Sequence, residues 1–540
     1  MKKYISYLLL CFSMILCWQC EDFIDVRPEN SPTYTNYFRT QQDAEALLTG
    51  LQTRVKAMAA EGYWLDSWGI LADKDPYGSI PNQLNPMYAK RPWDKCYQVI
   101  YQADLILDNA HRFEISEKEI RPYVLQANFA KSLAYFYLVR NFGEVPITQG
   151  STKFSKLPQS PIGAVLDEAE KYGLRALDLP VYEEMVEQSA PAARMKQYGS
   201  KGAAVALMAH ICAWRASVEG KSEYWEKAEE YCRMIIDGEA GNYRLADTPE
   251  EVCTNVMRRD SDESIWEIYF NSFDNSLRKI QLVGFPLDAS NWALPGNNSK
   301  PYISKATVRR MYPEGDLRRD AYFWATDADK VYLNHSAEGA VASMVPGDSV
   351  IKVIDNSAIE QAYLWKFRYP YYKKYDYDPQ PSFQGIDQNQ VVWRLADIYL
   401  LRAECRARQG KSNAAEDLNK IRGRAYGDLN RNALTAQYAF PCADDVKNGL
   451  AGNIALAIYR EREKELLSEN HRWYDIVRNG WCHLRGEDPY DYIREEISEA
   501  YAKLTDQDIY DGALYFMLGG MCFSDNDLIR QNVYWNRVTQ

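Results

Sequence analysis

The chain has 540 residues, of which 46% are hydrophobic and 26% charged, an ordinary composition for a globular protein with a large core. Its 63 basic and 75 acidic residues give a net charge of −12 at pH 7, and no basic block is present. This balance argues against nucleic acid as a partner. Aromatic residues make up 13% of the chain, and such rings suit planar or amphipathic ligands as well as packing between helices.

The first residues of the chain are typical of an export signal. Lys2 and Lys3 precede an apolar run over residues 8–16, which is too short to span a membrane. The cysteine that closes this region, Cys20, resembles the cleavage site of a bacterial lipoprotein. We therefore predict a signal peptide over residues 1–19 and a lipid anchor on Cys20. No later run is long and apolar enough to suggest a membrane-spanning helix.

Residues 20–240 form the first predicted region, in which apolar residues recur at helical spacing. The pattern predicts three helix pairs, each a hairpin that buries its apolar face only by stacking on its neighbours. The small residues Gly202, Ala203 and Ala204 are expected to let the third pair pack closely. The pairs lie at about residues 36–109, 122–177 and 200–237.

A long loop interrupts the first pair over residues 64–89, where three prolines and two glycines break the helical spacing. Long ordered loops on a helical frame usually carry function. The loop combines aromatic rings with carboxylate and amide groups, which is the mixture that a ligand site needs. Its candidate ligand-binding residues are Trp68, Asp73, Tyr77 and Asn82.

Residues 241–390 lose the helical spacing and are predicted to form an irregular subdomain with short β-strands and ligand-binding loops. Trp292 lies in a stretch with neither a strand nor a helix pattern, so nothing in the pattern demands a buried indole. Asn291 and Asn297 flank it with amide groups that suit hydroxyl ligands. Together with Trp324, these residues are the second set of candidate ligand contacts.

Residues 391–540 are predicted to form a second helical region. The apolar spacing predicts a helix from Val392 to Gly410 and a second helix that completes a fourth pair. The predicted fold class is therefore mainly α, a tetratricopeptide-like array of about four hairpins with an irregular subdomain. A further helix is predicted over residues 454–478. The charged residues of the fourth pair are expected on a solvated face. They are Arg394, Asp397, Arg402, Glu404, Arg422 and Arg424.

The chain lacks the sequence motifs of common enzymes. It has no phosphate-binding loop, no H-E-x-x-H, no G-x-S-x-G and no dinucleotide-binding glycine fingerprint. None of its five histidines is paired with another at helical spacing, so we predict neither a metal site nor a cofactor. Cys212 and Cys405 are interpreted as buried apolar residues, and disulfide pairing among the cysteines beyond the leader stays open.

Four stretches in this order resemble the SusD/RagB family. They are FRTQQDAEALLTG at 38–50, ANFAKSLAYFYLVRNFGEVPI at 127–147, residues 394–424 and REREKELLSENHRWYDIVR at 460–478. The start of the predicted mature chain, Cys20-Glu-Asp-Phe-Ile-Asp25, also resembles the lipidated N-terminus of that family. Asn470 stands where the family commonly has glycine, so the turn into His471 is expected to differ.

The charged motif residues between 460 and 475 are interpreted as structural, because buried ion networks fix geometry. Arg462 and Glu465 are expected to meet at i, i+3 spacing on one helix face, and Arg472 and Asp475 repeat that spacing.

The resemblance implies a non-catalytic lipoprotein, anchored in the outer membrane and facing outward, that binds oligosaccharides or polysaccharides. It also implies delivery of the glycan to a SusC-like TonB-dependent transporter, and Glu21 and Asp22 resemble the acidic signal for surface export. Two alternatives stay open. One is a peptide-binding member of the same family. The other is a secreted helical glycoside hydrolase in which Asp73 and Asp75 would be the carboxylates to test.

Overall fold

The computed structural model describes most of the chain, and the predicted signal peptide, Cys20 and the loop over residues 64–89 lie outside the described part. No helix in that part is long and apolar enough to cross a membrane. The described residues are 34, 37–61, 93–185, 196–273, 277, 303–336, 339–375, 378–428, 437–496, 503–524 and 526–539.

Long helices dominate the described residues, which confirms the mainly α fold class. They are α1 (Gln41–Glu61), α2 (Trp93–Asn109), α3 (Glu117–Phe142), α4 (Ile162–Ala176), α5 (Lys201–Val218), α6 (Glu223–Ile236), α7 (Leu395–Arg408), α8 (Ala414–Ala425), α9 (Ile454–Glu465) and α10 (Arg472–Leu484). Shorter helices cover Ala110–Arg112, Tyr182–Met185, Pro249–Glu251, Val252–Val256, Lys305–Met311, Arg318–Tyr322, Ala443–Lys447, Tyr492–Glu496, Asp506–Tyr510, Gly520–Ser524 and Val533–Thr539.

Two helices, α3 and α5, form the centre of the helical array. A capping box starts α3, since the Ser116 side chain accepts from the Glu119 N–H and the Glu119 side chain accepts from the Ser116 N–H. Gly143, with a φ of 71°, ends it. Residues 127–136 of α3 and 202–217 of α5 are buried on every side, because α2, α4 and α6 pack around them.

The predicted helix pairs are present, with α1–α2, α3–α4, α5–α6 and α7–α8 each packed as neighbours. Close packing of the third pair is also confirmed at Gly202. A Cβ atom there would lie 2.0 Å from the Tyr243 hydroxyl and 2.9 Å from the Ala240 carbonyl oxygen. Gly410 ends α7 with a φ of 67°, a left-handed conformation that glycine adopts without strain.

The strands are short, and they are β1 (Ser264–Ile268), β2 (Phe323–Trp324), β3 (Lys330–Ser336), β4 (Gly339–Ser343), β5 (Val350–Asp355), β6 (Tyr363–Leu364), β7 (Pro370–Tyr375), β8 (Asp378–Ile386) and β9 (Gln390–Arg394). They pair antiparallel in small separate sheets, β1 with β9, β2 with β6, β3 with both β4 and β5, and β7 with β8. In the first of these sheets, Ser264 pairs with Arg394 and Ile268 pairs with Gln390.

The predicted helix start at Val392 is wrong, because Val392 lies in β9 and α7 begins only at Leu395. Apolar residues at 391–393 fit a helix pattern and a buried strand equally well. Residues 390–394 form a strand because β1 supplies a backbone partner, and the Leu395 N–H then donates to the Glu263 carbonyl oxygen at 2.9 Å.

The charged residues predicted on a solvated face of the fourth pair are buried, so that expectation is also wrong. Each meets an opposite charge on another element. Arg424 lies 2.5 Å from Glu263, and Arg478 lies 2.6 Å from Glu404. Such groups can be buried because they neutralise one another. The six residues are Arg394, Asp397, Arg402, Glu404, Arg422 and Arg424.

The predicted helix over residues 454–478 is two helices, α9 and α10, separated by a turn. Ser468 and Asn470 adopt φ values of 61° and 71°, which break the helix. Asn470 therefore takes a left-handed backbone conformation, which glycine adopts most readily.

The charged residues around this turn are structural, but Arg462 does not pair with Glu465, nor Arg472 with Asp475, as expected. Arg462 contacts Asp475 on α10 at 2.8 Å, and Arg472 contacts Glu463 on α9. Glu465 instead contacts Arg394 at 2.8 Å. The reason is that the turn folds α10 back toward α9, so charges meet across the two helices.

Among the described residues, the core consists of one large cluster and two small ones. The large cluster joins the helical array from Phe38 to Ile529, whereas the small clusters lie around Tyr322 and around Val331. The eight cysteines of the described part are all buried and free, which confirms the interpretation of Cys212 and Cys405.

Candidate functional site

Of the eight candidate ligand residues, Trp324 lies within the described part of the chain. The others stay predictions, since they lie outside it. They are Trp68, Asp73, Tyr77, Asn82, Asn291, Trp292 and Asn297. The structure does place the chain on either side of both candidate segments, and these flanking residues define a candidate site.

The two candidate segments start from neighbouring points. Residues 62–92 follow α1, and the Nζ atom of Lys56, near the end of α1, lies 4.8 Å from the centre of the Phe270 ring. Phe270 comes just before Phe273, after which the second segment begins. From Lys56 to the end of α1 is about 8 Å at 1.5 Å per residue. The described residues from which the two segments start therefore lie close to each other.

The backbone at Phe270 is held firmly by side chains. The Phe270 N–H donates to the Asn389 side-chain oxygen at 3.1 Å, and Asn389 donates to Glu267 at 2.6 Å. The Asp260 N–H also donates to Glu267, at 3.0 Å. Burial, and then the nearby Glu267 charge, raise the pKa of the Asp260 carboxyl to about 7. The backbone just before the second segment is thus buried and held by hydrogen bonds.

The second segment rejoins the described chain beside Trp324. The Ile303 carbonyl oxygen accepts from the Ala362 N–H at 2.8 Å, and Ser304 bridges to Gln361. The next residue along, Tyr363, pairs with Trp324 in the β2–β6 ladder. Trp324 therefore lies one strand away from the point where the segment that carries Trp292 ends.

Trp324 is half-buried against a rigid support. Its ring meets the Tyr363 ring edge to face, with centroids 6.3 Å apart, and packs on the small cluster that contains Val331 and Leu333. Ala325 follows with a φ of 52°, an uncommon conformation for a residue other than glycine. A side chain fixed in this way can offer part of an aromatic surface without reorganising.

Buried Asn356 fixes the turn after Trp324. Its side-chain Nδ2 donates to the carbonyl oxygens of Ala325 and Ala328, at 2.8 and 2.6 Å. Lys305 in turn donates its Nζ to the Asn356 carbonyl oxygen at 2.6 Å. Burial, and then the neighbouring Arg309 charge, lower the pKa of Lys305 to about 8.

The arrangement suits binding by stacking and hydrogen bonds. Within the described ranges, no group of three or more His, Cys, Asp or Glu side chains is placed to hold a metal ion. The sequence did not point to Lys56, Asn356 or Asn389, because a single amide or lysine carries no pattern that distinguishes it from a solvated one.

Two family models match this chain. Residues 254–527 match the SusD family, and residues 22–212 match a family described as starch-binding associating with outer membrane. SusD-like protein P25 of Formosa agariphila is 25% identical over 515 residues, which are 89% of this chain and 90% of that protein. SusD-like protein P38 of the same organism is 24% identical over 530 residues, 88% of this chain and 92% of the relative.

Solved structures share the fold. A SusD homolog from Bacteroides thetaiotaomicron has a TM-score of 0.66 at 20% identity, with 92% of this chain and 98% of that chain covered. NanU of B. fragilis has a TM-score of 0.65 at 19% identity, covering 93% and 99%. A laminarin-binding SusD-like protein has a TM-score of 0.61 at 20% identity, covering 92% and 100%. Since the first family model alone spans half of the sequence, the chain belongs to the SusD family.

Proposed function

We propose that the protein is a non-catalytic lipoprotein of the outer membrane that faces outward, binds oligosaccharides or polysaccharides and delivers them to a SusC-like TonB-dependent transporter. The observation that carries this proposal is the match to the SusD family together with a model described as starch-binding associating with outer membrane. A fold neighbour described as laminarin-binding supports a glycan ligand.

The geometry of the candidate site supports the same function. Sugars offer apolar ring faces and hydroxyl edges, so a binder needs firmly held aromatic rings beside amide and carboxylate groups. Both candidate segments carry such groups, and the described residues from which the two segments start lie close together, near Lys56 and Phe270. We propose that Trp324 and Trp292 supply stacking surfaces there, with Asn291 and Asn297 as hydrogen-bond partners.

The direct test is a glycan array with the soluble Cys20→Ser protein, followed by calorimetry with the glycan that binds. Trp292→Ala and Trp324→Ala should each weaken binding tenfold or more, since loss of a stacking ring costs about 1–3 kcal/mol. Trp481→Ala is the matched control. Trp481 is also half-buried and contacts another ring, that of Tyr510, but it lies in α10.

Two outcomes would contradict this assignment. Unchanged affinity in folded Trp292→Ala and Trp324→Ala proteins would remove these rings from the site. Accumulation of new reducing ends when the protein is incubated with the bound glycan would support the hydrolase alternative, and loss of that turnover in Asp73→Asn or Asp75→Asn would identify its carboxylates. Binding of peptides but of no glycan would favour the peptide-binding alternative.

A further inference from the structure

A cavity of about 320 Å³ lies beside the end of α8, and Trp324 is not among the described residues that line it. This volume falls within the range of small-molecule pockets, about 300–1,000 Å³. Its walls come from stretches far apart in the sequence, namely the short helix Lys305–Met311, the end of α8, the segment around Ala443–Lys447 and α9.

The floor of the cavity is built from charges that already neutralise one another. Arg422 donates bidentate hydrogen bonds to Asp445, at 2.8 and 2.9 Å, and a further hydrogen bond to Glu461 at 3.0 Å. Arg318 lies 2.6 Å from Glu461. These groups are buried, so the floor is a rigid polar surface with its charges matched.

The charges of a second wall of the cavity also neutralise one another. Arg460 contacts Glu463 at 3.1 Å and Glu496 at 2.6 Å, and it donates to the Tyr490 hydroxyl at 2.9 Å. These contacts fix the Tyr490 phenol at the edge of the cavity.

Two cations that line the cavity are not matched in this way. Within the described residues, neither Arg310 nor Lys464 has a carboxylate at ion-pair distance, and Arg310 donates only to the Thr307 hydroxyl at 3.2 Å. Asp444 is the lining carboxylate that has no cation at that distance in the same ranges. The described lining therefore keeps one more unmatched positive charge than negative, which favours an anion.

Phenol and amide groups complete the lining. The Tyr426 and Tyr438 rings stack with centroids 5.5 Å apart and planes at 14°, so each holds the other in place. Burial raises the pKa of Tyr426, so its hydroxyl stays protonated at neutral pH and can donate a hydrogen bond. Asn448 adds an amide at the rim. These groups suit a ligand that carries several hydroxyls.

We propose that this cavity binds a small acidic sugar with the chemistry of a uronic acid. Its carboxylate would face Arg310 and Lys464, since a guanidinium can bind a carboxylate through bidentate hydrogen bonds. Its hydroxyls would face the tyrosines and Asn448. None of the described residues that line the cavity is a candidate ligand residue of the other site, and the inference does not depend on the glycan function proposed for that site.

The test is calorimetry of the mature Cys20→Ser protein with sodium D-glucuronate, D-glucose and sodium acetate. Saturable glucuronate binding at least tenfold tighter than that of glucose or acetate is expected, because only glucuronate combines the charge with the hydroxyls. Equal affinity for glucose would remove the role of the two cations, and equal affinity for acetate would remove the role of the hydroxyl partners. Absence of saturable glucuronate binding would overturn the proposal.

Variants then locate the binding. A double variant, Arg310→Gln with Lys464→Gln, should lose glucuronate affinity at least tenfold at an unchanged melting temperature. Asp444→Asn should tighten binding severalfold by removing a repulsive charge, and this gain keeps the proposal testable if the double variant folds poorly. Lys447→Gln, a nearby exposed lysine that does not line the cavity, is the matched control.

Two results would show that glucuronate binds at another site. Full affinity in a folded double variant, or loss of glucuronate binding in Trp324→Ala, would assign the acidic sugar to the other site and overturn this inference. Neither result would bear on the proposed glycan function, whose own test uses Trp292→Ala and Trp324→Ala with the cognate glycan.

Discussion

Arg394 is completely buried and contacts three carboxylates, Glu263 at 2.7 Å, Glu465 at 2.8 Å and Glu469 at 2.7 Å. Arg394→Met would keep most of the side-chain volume but remove the charge, leaving these carboxylates short of a partner. We expect the free energy of unfolding to fall by about 3–5 kcal/mol. Urea unfolding followed by circular dichroism measures the change.

Arg233 is the matched control, because it also contacts three carboxylates, those of Glu230, Asp237 and Glu239. It lies on the exposed surface of α6, where water solvates the charges that remain. Arg233→Met should leave unfolding almost unchanged. Equal effects in the two variants would show that burial does not decide the value of these contacts.

His471 lies in a buried group of charges between α9 and α10. Its Nδ1 is 3.8 Å from the Asp397 carboxylate, which also accepts a hydrogen bond from the His210 ring at 2.8 Å and lies 2.8 Å from Arg462. Asp475 is a further charge that acts on it. Burial is the largest cause that lowers the pKa of His471 to about 4, against an ordinary 6.5.

The lowered pKa of His471 predicts a loss of stability in acid. The unfolded chain takes up a proton at this residue near pH 6.5, whereas the folded chain does so only near pH 4. Stability from the neutral ring is complete above about pH 6.5 and is lost as the pH falls toward 4, by on the order of 3 kcal/mol. His471→Gln should flatten the profile by this amount in urea unfolding at pH 4 to 7.

His111→Gln serves as the comparison, since it removes a histidine from an exposed position. Its profile should follow that of the unsubstituted protein, because the carboxylates that also titrate in acid are common to both. Parallel curves for His471→Gln and the unsubstituted protein would remove His471 as a source of the acid sensitivity.

Helix α5 depends on the lack of a side chain at Gly202. A Cβ atom would lie 2.0 Å from the Tyr243 hydroxyl and 2.9 Å from the backbone oxygen of Ala240, so the chain after α6 would have to move. Gly202→Ala should lower the free energy of unfolding by about 1–3 kcal/mol through overpacking. Gly452→Ala, where a Cβ atom would meet nothing within 4 Å, should show no such loss in the same denaturant titration.

The helices could be predicted from the sequence because their apolar spacing is local. The predicted pairs over residues 36–109, 122–177 and 200–237 begin and end within a few residues of the observed helices. The buried charges could not be predicted in this way, because their partners are distant in sequence. Arg394, for example, meets Glu263 from β1 and Glu465 from α9. A helix face rich in charged residues has the same sequence pattern whether it faces water or an opposite charge.

The candidate site was only partly accessible to sequence reasoning. Loop composition points to segments rich in rings and amides, but it does not show how Lys56 and Phe270 bring the starts of both segments together. No sequence pattern indicates the cavity beside α8, since Arg310, Tyr426 and Lys464 come from three separate elements. Only folding makes such residues neighbours.

At the scale of the whole molecule, the proposed location depends on Cys20. Cys20→Ser should abolish metabolic labelling with palmitate and release the protein from the membrane fraction, since stable anchoring takes two or more acyl chains. Cys17→Ser, which changes the other cysteine near the end of the leader, should keep both the label and the membrane association. Equal labelling of Cys20→Ser and the unsubstituted protein would reject the anchor.

The pairing of β1 with β9 has a consequence for how such a protein can diversify. Because Ile268 lies opposite Gln390, the chain leaves the helical array and returns to it at one place. The entropy of closing an excursion grows slowly with its length, by about 0.6 kcal/mol per doubling. Changes of length within residues 269–389 therefore cost little, provided that contacts with the array such as that of Arg318 with Glu461 are kept. We expect ligand preference to evolve in the parts of this section that do not contact the array, and the array to change more slowly.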